Sequence, residues 1–171
     1  MTRVLTRADV EDLLDLGQAM ACIRQAFRQQ AAGHVEPWPP SLLRSGGALL
    51  RVTQGGLSGA GRMGLRVNTV GPSGVGLALL FGSPGGELLC CMAYPFAALR
   101  LAATVAIAID LLATPKARRV GLLGTGQNAL ALLRGAMAVR PVTSVAAFSR
   151  RPEPRAAFAA SASAVLGVPV A

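Results

Sequence analysis

Apolar residues recur at three-to-four spacing twice near the start of the chain, as Val10, Leu13 and Leu14, then as Ala19, Ile23, Ala26 and Phe27. That period marks one face of an α-helix and predicts helices over residues 7–14 and 16–32. Thr6 with Asp9 has the form of a capping box, Asp15 with Gln18 repeats it, and Gly33 supplies a stop. The pattern then changes. Glu36-Pro37-Trp38-Pro39-Pro40 must run extended, because a proline disfavours helix for the residue before it. Short β-rich segments follow over residues 48–53, 63–70, 75–81 and 87–94. Ser83-Pro84-Gly85-Gly86 reads as a hairpin loop, and the glycines of 55–61 predict an irregular or mobile loop. A long apolar helix is predicted over 95–113, with Pro95 in its first turn and Pro115 after its end.

Residues 120–123 are brief, continuous and apolar, the pattern of a buried strand. The turn Gly124-Thr125-Gly126-Gln127-Asn128-Ala129 follows directly. Ala129, Leu132, Leu133, Ala136 and Met137 then define a helix over 128–139, closed by Pro141, and a second β-rich run covers 142–148. Residues 167–171 read as the start of a third strand, apolar and without a partner. The fold class is an α+β N-terminal module, two helices plus antiparallel strands over 1–113, leading into an incomplete Rossmann-type α/β domain. Residues 114–171 are its first β-α-β portion.

Strand, glycine turn, helix and strand give each position of the G-x-G-x-x-A run a task. Gly124 lets the chain turn off the strand, the bare Gly126 lets a pyrophosphate approach the backbone, and the small Ala129 lets helix and sheet pack closely. The helix start adds free N–H groups and a partial positive charge for phosphate. The pattern points to a dinucleotide site; the alternative is a βαβ unit whose glycines serve only the turn. An NAD site usually carries an acid about 20 residues past the glycines. Here that place reads Phe148-Ser149-Arg150-Arg151, with no acid until Glu153. A serine and two guanidinium groups suit a 2′-phosphate, so NADP(H) is expected over NAD(H). The alternative is a pair of solvated arginines at a helix start.

Composition narrows the class. Of 171 residues, 52% are hydrophobic and 15% charged, which supports a buried core. There are 17 basic against 8 acidic residues, a formal charge of +9, and Lys116 is the one lysine. Aromatics are 4%, so the basic-aromatic platform of a nucleic-acid binder is absent and no such partner is expected. Cys22, Cys90 and Cys91 have neither disulfide nor metal spacing, which fits a reducing cytoplasm, and they read as small core hydrophobes. The first residues lack a continuous apolar stretch, and the run at 97–113 holds Arg100 and Asp110, so neither signal peptide nor membrane span is expected. His34, the sole histidine, has no second ligand nearby in sequence and reads as structural or solvated.

With these elements in order, the run from Leu79 to Ala129, hairpin, long helix and glycine turn, resembles the ornithine cyclodeaminase/mu-crystallin family. The resemblance implies a homodimer with an antiparallel N-terminal domain, completed by C-terminal helices, and a Rossmann domain binding NAD(P). It implies hydride transfer between the nicotinamide ring and the Cα of a small amino or imino acid. The family's R-T-A-A pattern corresponds to Arg100-Leu101-Ala102-Ala103, so Arg100 is the implied substrate-carboxylate ligand; a helix-end ion pair is the alternative. The family's substrate lysine corresponds to Arg66, for which a solvated strand arginine is the alternative. A further family arginine is replaced by Pro39.

Family members run to about twice this length, and the aspartate that ornithine-cyclising members use as acid/base lies in the part not matched. The resemblance therefore implies a fragment, with a separately encoded C-terminal half as a possible partner. Two readings remain: the N-terminal half of an NAD(P)-dependent enzyme, inactive or partial as given, or a non-catalytic nucleotide-binding or dimerising relic.

Overall fold

The structure, a computed structural model, describes residues 1–70, 74–93 and 97–171. The chain divides into two compact units, Met1–Asp15 with Arg24–Phe96 and Leu16–Ile23 with Ala97–Ala171.

The first unit is built on a sheet of seven strands. They are β1 (Arg3–Leu5), β2 (Val35–Pro37), β3 (Ser41–Ser45), β4 (Ala48–Leu57), β5 (Arg62–Val70), β6 (Gly76–Gly82) and β7 (Leu88–Ala93). Their order is β1-β7-β6-β5-β4-β2, with β3 also paired to β4. All pairings are antiparallel except β1 with β7, which run parallel. Helices α1 (Arg7–Leu13) and α2 (Leu16–Ala31) lie close to the expected bounds. The capping box is present: the Thr6 side chain accepts from the Asp9 amide, and the Asp9 carboxylate accepts from the Thr6 N–H at 2.8 Å. Hydrogen bonds from the Thr6 hydroxyl and N–H hold the Asp9 carboxyl below the usual carboxylate range.

Three expectations change here. β1 and β3 are absent from the hydrophobic pattern: three residues of β1 are too few to show a period, and in Ser41–Ser45 two adjacent leucines between polar residues break the alternation. The loop expected over 55–61 shrinks to a short turn at 58–61, since Gly55, Gly56 and Leu57 belong to β4. The glycines serve close backbone contact: Gly55 pairs with Gly64, whose added Cβ would sit 2.7 Å from the Leu79 carbonyl oxygen. Cys22 is exposed and Cys91 half-buried, leaving Cys90 as the one buried cysteine among the described residues. The predicted Tyr94 strand end and Pro95 helix start lie outside the described residues.

The second unit holds α3 (Ala97–Leu112), β8 (Arg119–Leu123), α4 (Ala129–Val139), β9 (Ser144–Phe148) and α5 (Pro152–Leu166). Strands β8 and β9 pair in parallel, Val120 opposite Val145. The segment expected to end unpaired is paired instead: Val170 bridges Val145 in parallel, and the Ala171 N–H donates to the Val145 carbonyl at 3.0 Å. Leu122, Ala129, Leu133, Val142, Val145, Ala162 and Val170 form one buried cluster between strands and helices.

Small residues set how closely α3 and α4 approach. Ala102, Ala103 and Ala106 are buried on α3, and Gly135 and Ala136 on α4. A Cβ added at Gly135 would lie 3.1 Å from the Ala102 carbonyl carbon and nearer still to its oxygen. The end of α3 is capped from outside. Its last turn has no basic residue, and Arg140, just past α4, fills that role. The Arg140 guanidinium donates to the carbonyls of Ile109, Asp110, Ala113 and Thr114, at 2.8–3.1 Å, and to the Asp110 carboxylate at 3.2 Å. The Ile109 and Thr114 carbonyls also accept from the Ala113 and Ala117 N–H groups, so the cation adds a second bond there, reaches the Asp110 and Ala113 carbonyls beyond them, and opposes the negative end of the helix dipole.

Replacing Gly135 with Ala gains up to about 1 kcal/mol of helix propensity, but overpacking against rigid backbone costs about 1–3 kcal/mol. The variant is expected to be destabilised by up to about 2 kcal/mol in urea unfolding; a gain in stability means the helices are not in this contact. Arg140→Ala is expected to lose about 1.5–3 kcal/mol, the range for hydrogen bonds to a charged group, with amide exchange at the end of α3 rising most.

Candidate functional site

The glycine turn joins a strand to a helix as its sequence requires. Gly124 has φ +97°, in the left-handed region that favours glycine, and its N–H donates to the Phe148 carbonyl at 2.7 Å. That bond ties the ends of β8 and β9 together. Gly126 accepts from the Ala129 N–H at 2.9 Å, which closes the turn onto α4. Asn128, expected inside the helix, is its N-cap and makes no side-chain capping bond. Ala129 is buried as the first helical residue, so its small size is used in packing.

Thr125, Gly126, Ser149, Arg150, Arg151 and Pro154 line one cavity of about 560 Å³. The structure thus brings together two stretches more than 20 residues apart, the glycine turn and the end of β9. Gly124, Gln127, Asn128 and Ala129 do not line it. A Cβ added at Gly126 would meet no protein atom within 4 Å, so any side chain there would project into open space at the cavity. That is the property a backbone surface needs if a pyrophosphate is to approach it, and the residues present fit a dinucleotide.

The far side of the cavity has an unusual helix start. Pro152 and Pro154 in the first turn of α5 have no N–H to offer, leaving Glu153 as the sole amide among those three. Positive potential on this side therefore comes from the exposed side chains of Arg150 and Arg151 rather than from the helix end. Ser149 donates its hydroxyl hydrogen to the Arg151 carbonyl at 3.1 Å, bracing the turn that carries both arginines. Arg155 lies 6.0 Å from the centre of the Phe148 ring, within the range of a cation–π contact. Sequence reasoning passed over Pro154 and Arg155; a proline at every second position after Arg151 was the available signal.

The two residues implied for substrate lie in different units, Arg66 in the first and Arg100 in the second. Arg66 is half-buried in the middle of β5, and its Nη2 donates to the Thr53 hydroxyl at 3.4 Å. Arg100 is exposed in the first turn of α3, where its carbonyl accepts from the Thr104 hydroxyl at 2.9 Å. Leu101 beside it is also exposed, whereas Ala102 and Ala103 are buried. Among the described residues, no cluster of His, Cys, Asp and Glu could hold a metal ion, and no helix is long and apolar enough to cross a membrane. His34 contacts the Gln29 side-chain oxygen at 3.2 Å, and its carbonyl accepts from Ser58.

Several solved structures share this architecture. The iminosuccinate reductase of Paracoccus denitrificans, in complex with NAD+, superposes with a TM-score of 0.90 at 23% identity, over 99% of this chain and 56% of that one. An archaeal alanine dehydrogenase dimer with bound NAD gives 0.87 at 25% identity, over 99% and 55%. The Δ1-pyrroline-2-carboxylate reductase of Thermococcus litoralis, in complex with NADH and L-proline, gives 0.85 at 20% identity, over 99% and 56%. The chain thus spans a little over half the length of these proteins. No curated protein sequence matches it. The model of the ornithine cyclodeaminase/mu-crystallin family, however, matches residues 1–171, the whole chain, and the chain belongs to that family.

Proposed function

We propose that this chain forms the N-terminal part of a cytoplasmic, homodimeric NAD(P)-dependent oxidoreductase acting on a small amino or imino acid. Residues 1–113 are its substrate and dimerisation part, and 114–171 begin its cofactor-binding domain. The observation that carries this reading is the cavity shared by Gly126 and the Arg150–Arg151 pair. The family match supports the class of reaction, and the NAD, NADH and L-proline bound in similar solved structures support the kinds of ligand.

The bound nicotinamide supplies hydride exchange with the substrate Cα. The chain's own residues do the holding. The bare backbone at Gly126 admits the pyrophosphate, and the positive end of the α4 dipole follows two residues further along the chain, outside the cavity lining. Arg150 and Arg151 take the 2′-phosphate of NADP(H), for which an arginine fork is suited and an acid would be repelled. Arg100 and Arg66 each offer a guanidinium to carboxylate oxygen of the substrate.

Nucleotide fluorescence separates this from a chain that merely retains the fold. NADPH is expected to bind at least about tenfold more tightly than NADH at low salt, since one charge-assisted contact contributes about 1.5–3 kcal/mol. The exposure of both arginines places the effect at the low end. The double variant Arg150→Ser, Arg151→Ser should bring the two affinities within about threefold. Tighter NADH binding by the unaltered chain would end the NADP(H) preference, and no response to either nucleotide would favour the relic.

A further inference from the structure

The register of the first unit's sheet sorts its charges by face. Directly paired residues in a sheet point the same way, and residues alternate along each strand. Arg66 is opposite Thr53 and Ala78, and Arg51 is opposite Asn68, two residues from Arg66 on β5. Arg51 and Arg66 therefore share a face. Arg62 shares it by alternation along β5, and Arg44 through Leu49 and Val70. Arg3 joins them through Cys90, Leu80 and Gly64. Every arginine in the strands of this sheet thus stands on one face. The sheet's one strand carboxylate among the described residues, Glu36, is opposite Gly56 and Met63 and stands on the other. A Cβ added at Gly56 would lie 2.7 Å from the Glu36 carboxylate, which confirms the side.

Within the basic face, Arg51 stands diagonal to the exposed Arg44 on β3, since Leu42 is opposite Arg51, and equally to the half-buried Arg66 on β5. Arg51 and Arg66 are the pair with a member partly withdrawn from solvent, where a charge-assisted bond is screened least. They are diagonal neighbours on adjacent strands, about 7–8 Å apart, with Thr53 and Asn68 beside them as neutral hydrogen-bonding groups. Arg62 is four residues along β5 from Arg66, about 13 Å away. Two guanidinium forks at that separation can converge on the two oxygens of one carboxylate. No aromatic residue falls on this face of the strands among the described residues, since Phe81 pairs with Met63 on the other, so nucleobases have nothing to stack on. The side-chain ammonium of a diamino acid would meet fixed positive charge there.

We infer that Arg51 and Arg66 together form a subsite for a second carboxylate, so that the substrate is a dicarboxylic amino or imino acid. This rests on the reading above that the chain takes a small amino or imino acid, and it adds Arg51 as a specificity-determining residue.

The test is calorimetric titration of the chain with succinate and with propionate at one ionic strength, without nucleotide. Succinate is expected to bind at least about tenfold more tightly, and Arg51→Gln and Arg66→Gln should each weaken it by about tenfold or more. Arg51→Lys, which keeps the charge and loses the fork, should fall between. Arg62→Gln, on the same face but out of reach, should change succinate binding less than about threefold. Thermal unfolding verifies that each variant is folded; Arg51 is exposed, so its variants should be. Equal binding of the two acids, indifference to Arg51→Gln, or an equal loss in Arg62→Gln would overturn the subsite. NADPH fluorescence is a separate readout, so a failed subsite with intact nucleotide binding leaves the proposed function standing.

Discussion

The hydrogen bond from the Gly124 N–H to the Phe148 carbonyl, 2.7 Å long, is the constraint from which the candidate cofactor site follows. It forms because Gly124 adopts a positive φ, a conformation unfavourable for other residues. Bending β8 there draws its end against the end of β9. The bare Gly126 and the arginines after Phe148 then line one cavity. The bond extends the β8–β9 ladder, in which Leu123 already stands opposite Phe148, by one residue into the turn.

Around this bend the second unit is stabilised more by closeness than by bulk. Leu133 is the one large side chain among the described residues that is essentially inaccessible; much of the remaining buried surface is alanine and glycine. Small side chains bury little area each, but they let α3 and α4 approach until backbone meets backbone at Gly135 and Ala102. Dispersion falls steeply with distance, so that approach compensates for modest side-chain size. Arg140 adds the polar counterpart, one cation donating to four carbonyls at and just past the end of α3 and pairing with Asp110.

In the first unit the alternation of strands does for charge what it ordinarily does for hydrophobicity. Arginines at positions 3, 44, 51, 62 and 66 look scattered along the chain, yet pairing places all of them on one face and Glu36 on the other. Like charges side by side cost stability in a sheet, which makes their collection on one face consistent with a use for anions.

Local pattern alone settled α1 to α4 and β4 to β9, by period in the longer elements and, in the five-residue β8 and β9, by apolar or β-branched content bounded by a glycine turn or a proline, because spacing and punctuation are properties of neighbouring residues. It also settled the glycine turn, whose three small residues each answer a local steric demand, and the absence of an acid after β9. Tertiary structure decided what depends on partners distant in sequence. β1 is a strand only because β7, 85 residues further on, offers it an edge. Gly55 and Gly56 are strand rather than loop because Gly64 and the Glu36 segment lie against them. Arg140 is a helix cap, and Arg51 a neighbour of Arg66, only once the backbone between them has folded. Spacing along a chain carries the period of an element but not its register against another, and these groups take their meaning from register.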